Sequence, residues 1–320
     1  RGTAPSCTRR SRGTCDSAVS RKPGMTRVRR NPDSPDSVRT RLAAIATERR
    51  VDLQAVLTEF ATERFLYRLG ASAHASRFVL KGATLLALWQ LNRRRATWDI
   101  DLHAPSRASV REIVAAIREI LRTPAADVIR FDEATLEADE IRTRHAHGGV
   151  TIRIDALLGV ARIPMQIDVG FEDVILPPAA RAEFPVLLDH PAPVVTVYPR
   201  ESVVAEKAEA ILTLGVTNSR MKDFYDLFVF SKAFAFAGPT LAASLESTFR
   251  HRGTAIPEEI PLALTTAFMA DPSRAVQWRA FLRRSRLDAQ PDPTHVAEAI
   301  QVFLWPLLCA VRDAVPFAQM

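Results

Sequence analysis

The sequence predicts an α+β protein in which a small mixed β-sheet core with flanking helices is followed by a helical C-terminal part. Two observations support this fold class. Apolar and polar residues alternate over residues 150–157 and 163–169, as expected for two strands that form an antiparallel hairpin. After Arg200 the apolar residues recur at helical spacing. We therefore expect the sheet to lie before residue 200 and the chain to be helical beyond it.

Helical spacing of apolar residues also defines the elements before the hairpin. A stripe that includes Leu53, Val56 and Phe60 predicts two helices within residues 37–69. The next elements are a buried strand at residues 78–80, a helix over 84–91, a strand at 99–102 and an amphipathic helix over 110–121.

The C-terminal helices are separated by residues that end or begin helices. Gly215 predicts the end of one helix, and Asn218 or Ser219 predicts the cap of the next. The predicted helices span residues 201–214, 219–232, 240–250, 273–284 and 294–313.

The 320 residues are 47% hydrophobic, which is enough to fill a sizeable core. We divide the chain into a leader over residues 1–36, a core over 37–199 and a helical domain over 200–320 that completes the site. Residues 1–30 hold nine Lys or Arg and one acid, whereas the remainder balances 34 basic against 35 acidic residues. A nucleic-acid site in the body must therefore be a local patch.

The leader is interpreted either as a disordered basic arm or as upstream sequence that is not translated. It lacks the continuous apolar region of a secretory signal. Cys7 and Cys15 lie in the leader and Cys309 lies in the body, which argues against a disulfide scaffold and favours a reducing cytoplasm. The most apolar late stretch, residues 302–315, is interrupted by proline and charges, so we predict no membrane span.

A carboxylate pair and a glycine turn are the strongest chemical signals. Asp99 and Asp101 project from the same face of their predicted strand, where two like charges would repel without a cation. Magnesium suits such hard oxygen ligands. Asp168 lies on the polar face of the second hairpin strand and is the candidate third carboxylate. The alternative is that these are strand-end aspartates that cap loops.

Residues 81–84 read Lys-Gly-Ala-Thr, which is typical of a phosphate cradle. Gly82 lets a phosphate approach the backbone, and a following helix would present unpaired N–H groups. Lys81 is either a solvated strand-end lysine or a phosphate contact. Lys207 is either an ordinary helical surface lysine or a cation that meets the β- or γ-phosphate.

Residues 218–226 place charges densely against aromatic residues. Arg220 with Asp223, and Lys222 with Asp226, stand at helical contact spacing, so surface ion pairs would explain them. The same helix must also bury its apolar side, which would hold the polar groups at a fixed angle suited to a binding site. Both interpretations stay open on the residues alone.

Taken together, these segments resemble the nucleotidyltransferase toxins of the AbiEii/AbiGii type. The resemblance covers about residues 37–306 and is carried by the motifs at residues 77–84, 99–101, 163–170, 204–207 and 218–227. It implies a DNA-polymerase-β-like nucleotidyltransferase core and a bacterial role as the toxin of a toxin–antitoxin or abortive-infection pair in phage defence.

The resemblance also implies roles for individual residues. Asp99 and Asp101 would bind metal, with Asp168 assigned as the third metal-binding and catalytic acid. Lys207 and Asp223 match the nucleotide-binding lysine and the acid of the Arg-x-Lys-Asp motif. The further nucleotide-binding candidates are Lys81, Gly82, Ala83, Thr84, Arg220 and Lys222.

Two departures from the family pattern matter. Ala83 stands where members often have glycine or serine, so a hydroxyl contact to phosphate would come from Thr84. Trp98 precedes the first acid, where a small or basic residue is common, and would narrow the nucleotide pocket.

The resulting hypothesis is an enzyme that uses two Mg²⁺ ions to transfer a nucleoside monophosphate from a nucleoside triphosphate to an acceptor. The resemblance favours the 3′ end of tRNA as acceptor, with a cognate antitoxin as partner. A protein hydroxyl or a small molecule is an alternative acceptor. A catalytically silent RNA- or protein-binding module on the same fold is a second hypothesis.

Overall fold

The structure is a computed structural model that describes residues 34–89, 91, 99–104, 108–141, 148–171, 173–285, 287 and 290–315. All of these belong to one compact unit, Pro32–Met320. Residues 1–33 of the predicted leader and Trp98 lie outside the described residues. The division at residue 200 stays a prediction.

Two N-terminal helices precede the sheet, as predicted. Helix α1 spans Pro35–Arg49 and α2 spans Leu53–Ala71. The Ser34 hydroxyl accepts from the backbone N–H of Ser37 and so caps the first of them. Helix α1 thus begins inside the segment predicted as leader. Helix α2 buries its apolar stripe, with Phe60 fully inside the core.

The described strands form one seven-stranded mixed sheet, which confirms the predicted fold class. The strands are β1 (Val79–Lys81), β2 (Asp99–Ala104), β3 (Ile129–Ile141), β4 (Gly149–Leu158), β5 (Ala161–Phe171), β6 (Ala180–Glu183) and β7 (Val194–Val197). Their order is β3-β4-β5-β2-β1-β7-β6. The hairpin β4–β5 is confirmed, whereas β3, β6 and β7 were not predicted.

The register of the central strands places three charged residues side by side. Strand β2 runs parallel to β5 with Asp101 opposite Asp168, and antiparallel to β1 with Lys81 opposite Asp101. In β5 the residues alternate between buried and partly exposed, so Asp168 lies on the polar face as predicted. Neighbouring strands are about 4.8 Å apart, which keeps these side chains within electrostatic range.

The segment after β1 is shorter than predicted. Gly82–Thr84 forms one 3-10 turn, and helix α3 spans only Leu85–Leu88. The Leu91 N–H then bonds to the carbonyl of Leu86, five residues back, which closes the helix. The predicted helix over residues 84–91 is therefore wrong in extent.

The remaining helices are α4 (Val110–Leu121), α5 (Arg200–Leu214), α6 (Met221–Ala233), α7 (Gly238–Arg252), α8 (Thr266–Ala270), α9 (Pro272–Ser285) and α10 (Pro293–Arg312). All but α8 were predicted. Gly215 ends α5 with a positive φ of 48°, as expected. Helix α6 begins two residues later than predicted, because the Asn218 side chain accepts from the Arg220 N–H at 2.8 Å and holds the chain in a turn.

Helix α10 is 20 residues long and, by length and composition alone, could cross a membrane. It is longer than the apolar stretch identified in the sequence because it begins at Pro293. Its inner face, which includes Val296, Ile300 and Leu304, is buried in the protein. The buried share of its most apolar 18-residue window is 33%.

Candidate active site

One cleft of about 460 Å³ collects all the predicted site residues except Thr84. It is bounded by the β1 turn, the β2 and β5 strands and helices α5 and α6. The predicted residues that line it are Lys81, Gly82, Ala83, Asp99, Asp101, Asp168, Lys207, Arg220, Lys222 and Asp223. Segments that are remote in sequence therefore meet at one site.

The carboxylates of β2 are held in an unfavourable environment for their charge. Burial raises the pKa of Asp101, and the nearby carboxylates of Asp168 and Asp99 raise it further, while Lys81 and Lys222 oppose the shift. Asp99 is more exposed, but partial desolvation still raises its pKa, with a further contribution from Asp168. Groups of like charge in one cleft are a common feature of functional sites.

Asp168 is anchored by two hydrogen bonds. Its carboxylate accepts from the Thr151 hydroxyl at 2.7 Å and from the Gln166 amide at 2.9 Å. Among the residues that the structure describes, no three His, Cys, Asp or Glu side chains converge on one point in a ready ion site.

The donor chemistry and strand positions of Asp99 and Asp101 fit a magnesium ion, which needs one or two protein carboxylates and completes its shell with water and phosphate. The participation of Asp168 as a third ligand stays a prediction.

Gly82 is matched to Asp101 by close contact. It adopts a left-handed φ of 73°, and a Cβ atom at this position would stand 1.8 Å from Oδ2 of Asp101. Glycine is thus required both by the backbone conformation and by space. This contact fixes the turn directly beside the carboxylate pair.

Thr84 does not reach the cleft. Its side chain is buried, and its hydroxyl donates to the backbone carbonyl of Asp99 at 3.3 Å. The hydroxyl therefore ties the turn to the start of β2. The predicted phosphate contact from Thr84 has no support in this geometry.

Lys81 is not a solvated strand-end lysine. Its ammonium group donates to Asp173 at 2.6 Å and lies 3.7 Å from Glu206. Burial opposes its charge, but Glu206 and Asp173 outweigh burial and raise the pKa of the lysine. The ammonium group also favours ionised Asp101, which faces it across the sheet.

Arg252, at the end of α7, extends this network. Its guanidinium donates to Asp173 at 2.9 Å and to Glu209 at 2.7 Å. Asp173 consequently bridges Lys81 and Arg252, and both cations hold the pKa of its carboxyl well below the usual range despite burial. The network connects the turn after β1 to helices α5 and α7.

Lys207 is tied to two acids of the neighbouring helix. Its ammonium group lies 2.7 Å from Asp223 and 2.9 Å from Asp226. Burial opposes the charge, but the two carboxylates raise the pKa of the lysine. Arg220 also pairs with Asp223 at 2.6 Å. The interpretation of Lys207 as an ordinary surface lysine is therefore wrong.

The side chain of Lys222 is exposed, in contrast to those of Lys81 and Lys207. Its charge lowers the pKa of both Asp99 and Asp101, which places the ammonium group within range of the carboxylate pair. Within the described ranges it forms no ion pair shorter than 4 Å, in contrast to Lys81 and Lys207. Lys222 is thus available to an incoming anion.

The site residues predicted from the sequence did not include Asp226, Glu206, Arg252 and Asp173, although Asp226 was noted as a possible partner of Lys222. Asp226 follows Asp223 by three residues on the same helical face, so its spacing could have identified it. Glu206 directly precedes Lys207 in a motif that was already recognised. Arg252 and Asp173 are 79 residues apart and had no local signal, because only the tertiary fold brings them together.

The fold and this cleft, with carboxylates on a sheet beside a glycine turn and with Arg220 and Lys222 at the start of α6, define an enzyme of the nucleotidyltransferase class. The family described as "Nucleotidyl transferase AbiEii toxin, Type IV TA system" matches residues 64–303. The chain belongs to this AbiEii nucleotidyltransferase toxin family, as the sequence motifs indicated.

Two solved structures from Helicobacter pylori are also similar in part. One is a proposed nucleotidyltransferase with 14% sequence identity and a TM-score of 0.45, covering 83% of this chain and 97% of its own. The other is JHP933, with the same identity and TM-score, covering 82% and 93%. A comparison with curated proteins gave no match.

Proposed function

We propose that the protein transfers a nucleoside monophosphate from a nucleoside triphosphate to the 3′ hydroxyl of tRNA in the bacterial cytoplasm, with release of pyrophosphate, in a reaction that requires magnesium. Loss of usable tRNA would stop growth, and a cognate antitoxin would prevent it. Membership of a type IV toxin–antitoxin family supports the toxin role and implies the antitoxin. The single observation that carries the catalytic proposal is the contact of Gly82 with Asp101 in a cleft that also contains Asp99 and Lys222.

The residues of the cleft suggest a division of roles. Gly82 and Ala83 leave the backbone open to a phosphate, and exposed Lys222 with half-exposed Arg220 offers positive charge to it. Asp99 and Asp101 would hold magnesium, which when bound neutralises phosphate charge and favours ionisation of the attacking hydroxyl. Lys207 and Asp223 hold α5 and α6 together and so fix the basic wall opposite the carboxylates. Catalysis would then rest on positioning and charge neutralisation.

The acceptor is the least constrained part of the proposal, so the experiment must identify it. Purified protein is incubated with magnesium, each α-labelled nucleoside triphosphate and total tRNA. Parallel reactions contain EDTA or tRNA whose terminal diol has been oxidised with periodate. We expect label in intact tRNA only when magnesium is present.

The variant for this test is Asp99→Ala, Asp101→Ala, and the matched control is Asp139→Ala, an exposed acid on β3 that pairs with Arg153. The control should label tRNA at the parental rate, and the double variant should not. Equal labelling of oxidised and intact tRNA would exclude the 3′ end. Label in protein would move the acceptor to a protein hydroxyl. RNA retention by parent and double variant without any label would favour the binding-module hypothesis.

A further inference from the structure

Helix α9 carries four arginines and no acidic residue between Pro272 and Ser285. Arg279, Arg283 and Arg284 are exposed, whereas Trp278 and Leu282 are buried. This positive charge is concentrated in a body that holds 34 basic and 35 acidic residues, with the four arginines of α9 included. The cleft residues do not include any part of it.

Helix stability does not explain these charges. Arg279 and Arg283 are one turn apart on the exposed face, and such like-charged pairs destabilise a helix by about 0.2–0.5 kcal/mol. Positive charge near a helix C-terminus is favourable, which accounts for Arg284 and in part Arg283, but Arg279 lies in the middle of the helix. In the described part of the chain no carboxylate pairs with any of the three within 4 Å. These three arginines therefore present positive charge to solvent with no acidic partner among the described residues.

The helix is attached directly to the wall of the cleft. Arg274, in the first turn of α9, donates to the backbone carbonyl of Asn218 at 2.7 Å. Asn218 precedes the cleft residue Arg220 by two positions. Further along, the Trp278 ring packs 6.3 Å from that of Tyr225, which follows the cleft residue Asp223 by two positions. Helix α9 thus rests on the same helix that brings Arg220 and Lys222 to the cleft.

We propose that the three exposed arginines of α9, Arg279, Arg283 and Arg284, bind the phosphate backbone of the RNA acceptor. The proposal rests on the proposed function, since it assigns the docking surface for that acceptor. An acceptor much larger than the cleft needs contacts outside it, and guanidinium groups bind phosphates in a planar, two-point geometry. Because the body as a whole carries no excess of positive charge, such contacts must come from a local patch.

The test measures equilibrium binding of total tRNA to the intact protein by filter retention, without nucleoside triphosphate and over a range of salt concentrations. The variant is Arg279→Gln, Arg283→Gln, Arg284→Gln. We expect its Kd for tRNA at low salt to rise at least about tenfold. The slope of log affinity against log salt is negative, and its magnitude should decrease by about 2 to 3. Each lost phosphate contact removes about 0.7–0.9 from that magnitude.

The matched control removes three other exposed arginines, Arg39, Arg111 and Arg118, which lie on α1 and α4. This control should bind tRNA with the parental Kd and slope. The KM for the nucleoside triphosphate should be unchanged in the α9 variant, which separates docking of RNA from damage to the cleft. Circular dichroism and the midpoint of thermal unfolding establish that both variants are folded.

Parental affinity and slope in the α9 variant would overturn the proposal, as would a parent protein that does not retain tRNA at low salt. An equal loss of affinity in the control would also overturn it, because the effect would then reflect net charge alone. A different outcome is loss of tRNA binding in the α9 variant together with a parent that labels no tRNA. In that case the docking surface stands and only the transfer to tRNA fails.

Discussion

Gly82 and Asp101 fit together so closely that a single added carbon at residue 82 would overlap the carboxylate. Gly82→Ala must therefore displace either the turn or Asp101. We expect transfer activity to fall by about 100-fold, since displacement of a catalytic group by about 1 Å has an effect of that order. The measurement is the rate of label transfer per folded molecule.

The control for Gly82 is Gly253→Ala, at the end of α7. Gly253 has a similar φ of 66°, but an added Cβ there would meet nothing within 4 Å. Both variants should lose about 1–2 kcal/mol of folding stability to the left-handed backbone, and only Gly82→Ala should lose activity. Full activity in Gly82→Ala would show that the close contact is not needed for transfer.

The sequence predicted the elements that have a local pattern. The alternation in the β4–β5 hairpin and the apolar stripe of α2 were sufficient, because side-chain periodicity follows directly from backbone geometry. Strand β7 has four residues, and the polar strand β3 alternates poorly, so neither gave a clear pattern. Their positions depend on pairing with strands distant in sequence.

The same distinction applies to the site. Asp99, Asp101 and Gly82 were identified from short motifs, and they do line the cleft. The partners of Lys81 could not be identified in this way, because Asp173 is 92 residues away in the chain. Long-range ion pairs of this kind depend on the complete fold and have no signature in a local segment.

Lys207 is expected to be essential for stability as well as for the site. Lys207→Met leaves Asp223 and Asp226 buried without their shared cation, and breaking such a buried pair costs about 3–5 kcal/mol. The triple variant that adds Asp223→Asn and Asp226→Asn should recover part of this loss. Urea unfolding of the three proteins measures the differences. No recovery in the triple variant would show that the charges are not the cause.

The pKa shifts of Lys207 and Asp223 determine the pH range over which their ion pair contributes to folding stability. The pKa of Lys207 is raised above its usual 10.5, so its contribution is fully present below that value and is lost at higher pH. The pKa of Asp223 is lowered below 3.8, so its contribution is present above that value and is lost in acid. The stability difference between parent and Lys207→Met should therefore be constant between about pH 5 and about pH 10. A stability difference that changes with pH within this range would show that the ion pairs of Lys207 are not its cause.

Arg252 and Arg250 are two arginines of one helix in opposite environments. Arg252 is mostly buried between Asp173 and Glu209, whereas Arg250 is 75% exposed and pairs with Glu246. Arg252→Met should lower the free energy of unfolding by about 3–5 kcal/mol, because it leaves the buried carboxylate of Glu209 without its cation and removes one of the two cations that pair with Asp173. Arg250→Met should change it by less than about 1 kcal/mol, as is usual for surface pairs. Equal effects in chemical denaturation would rule out a structural role for the Arg252 network.

The carboxylates of the cleft should reduce stability while they serve catalysis. Burial and the neighbouring acids raise the pKa of Asp101 above 3.8, so the folded state binds protons more tightly than the unfolded state, and stability falls as pH rises through this interval. Asp101→Asn should therefore unfold at a higher temperature than the parent near neutral pH without magnesium, and the difference should shrink towards pH 4. Its transfer activity should fall by about 10²–10³-fold.

The control for the loss of one negative charge is Asp139→Asn, because Asp139 is exposed. This substitution should change the free energy of unfolding by less than about 0.5 kcal/mol. Addition of magnesium extends the comparison, because an ion held by Asp101 stabilises the folded parent by mass action. The parent should then gain in unfolding temperature, and Asp101→Asn should gain less. The opposite outcome is that Asp101→Asn is less stable than the parent in the absence of magnesium. In that case the favourable interaction of the Asp101 carboxylate with Lys81 outweighs the cost of its burial, and burial is not the cause of a raised pKa.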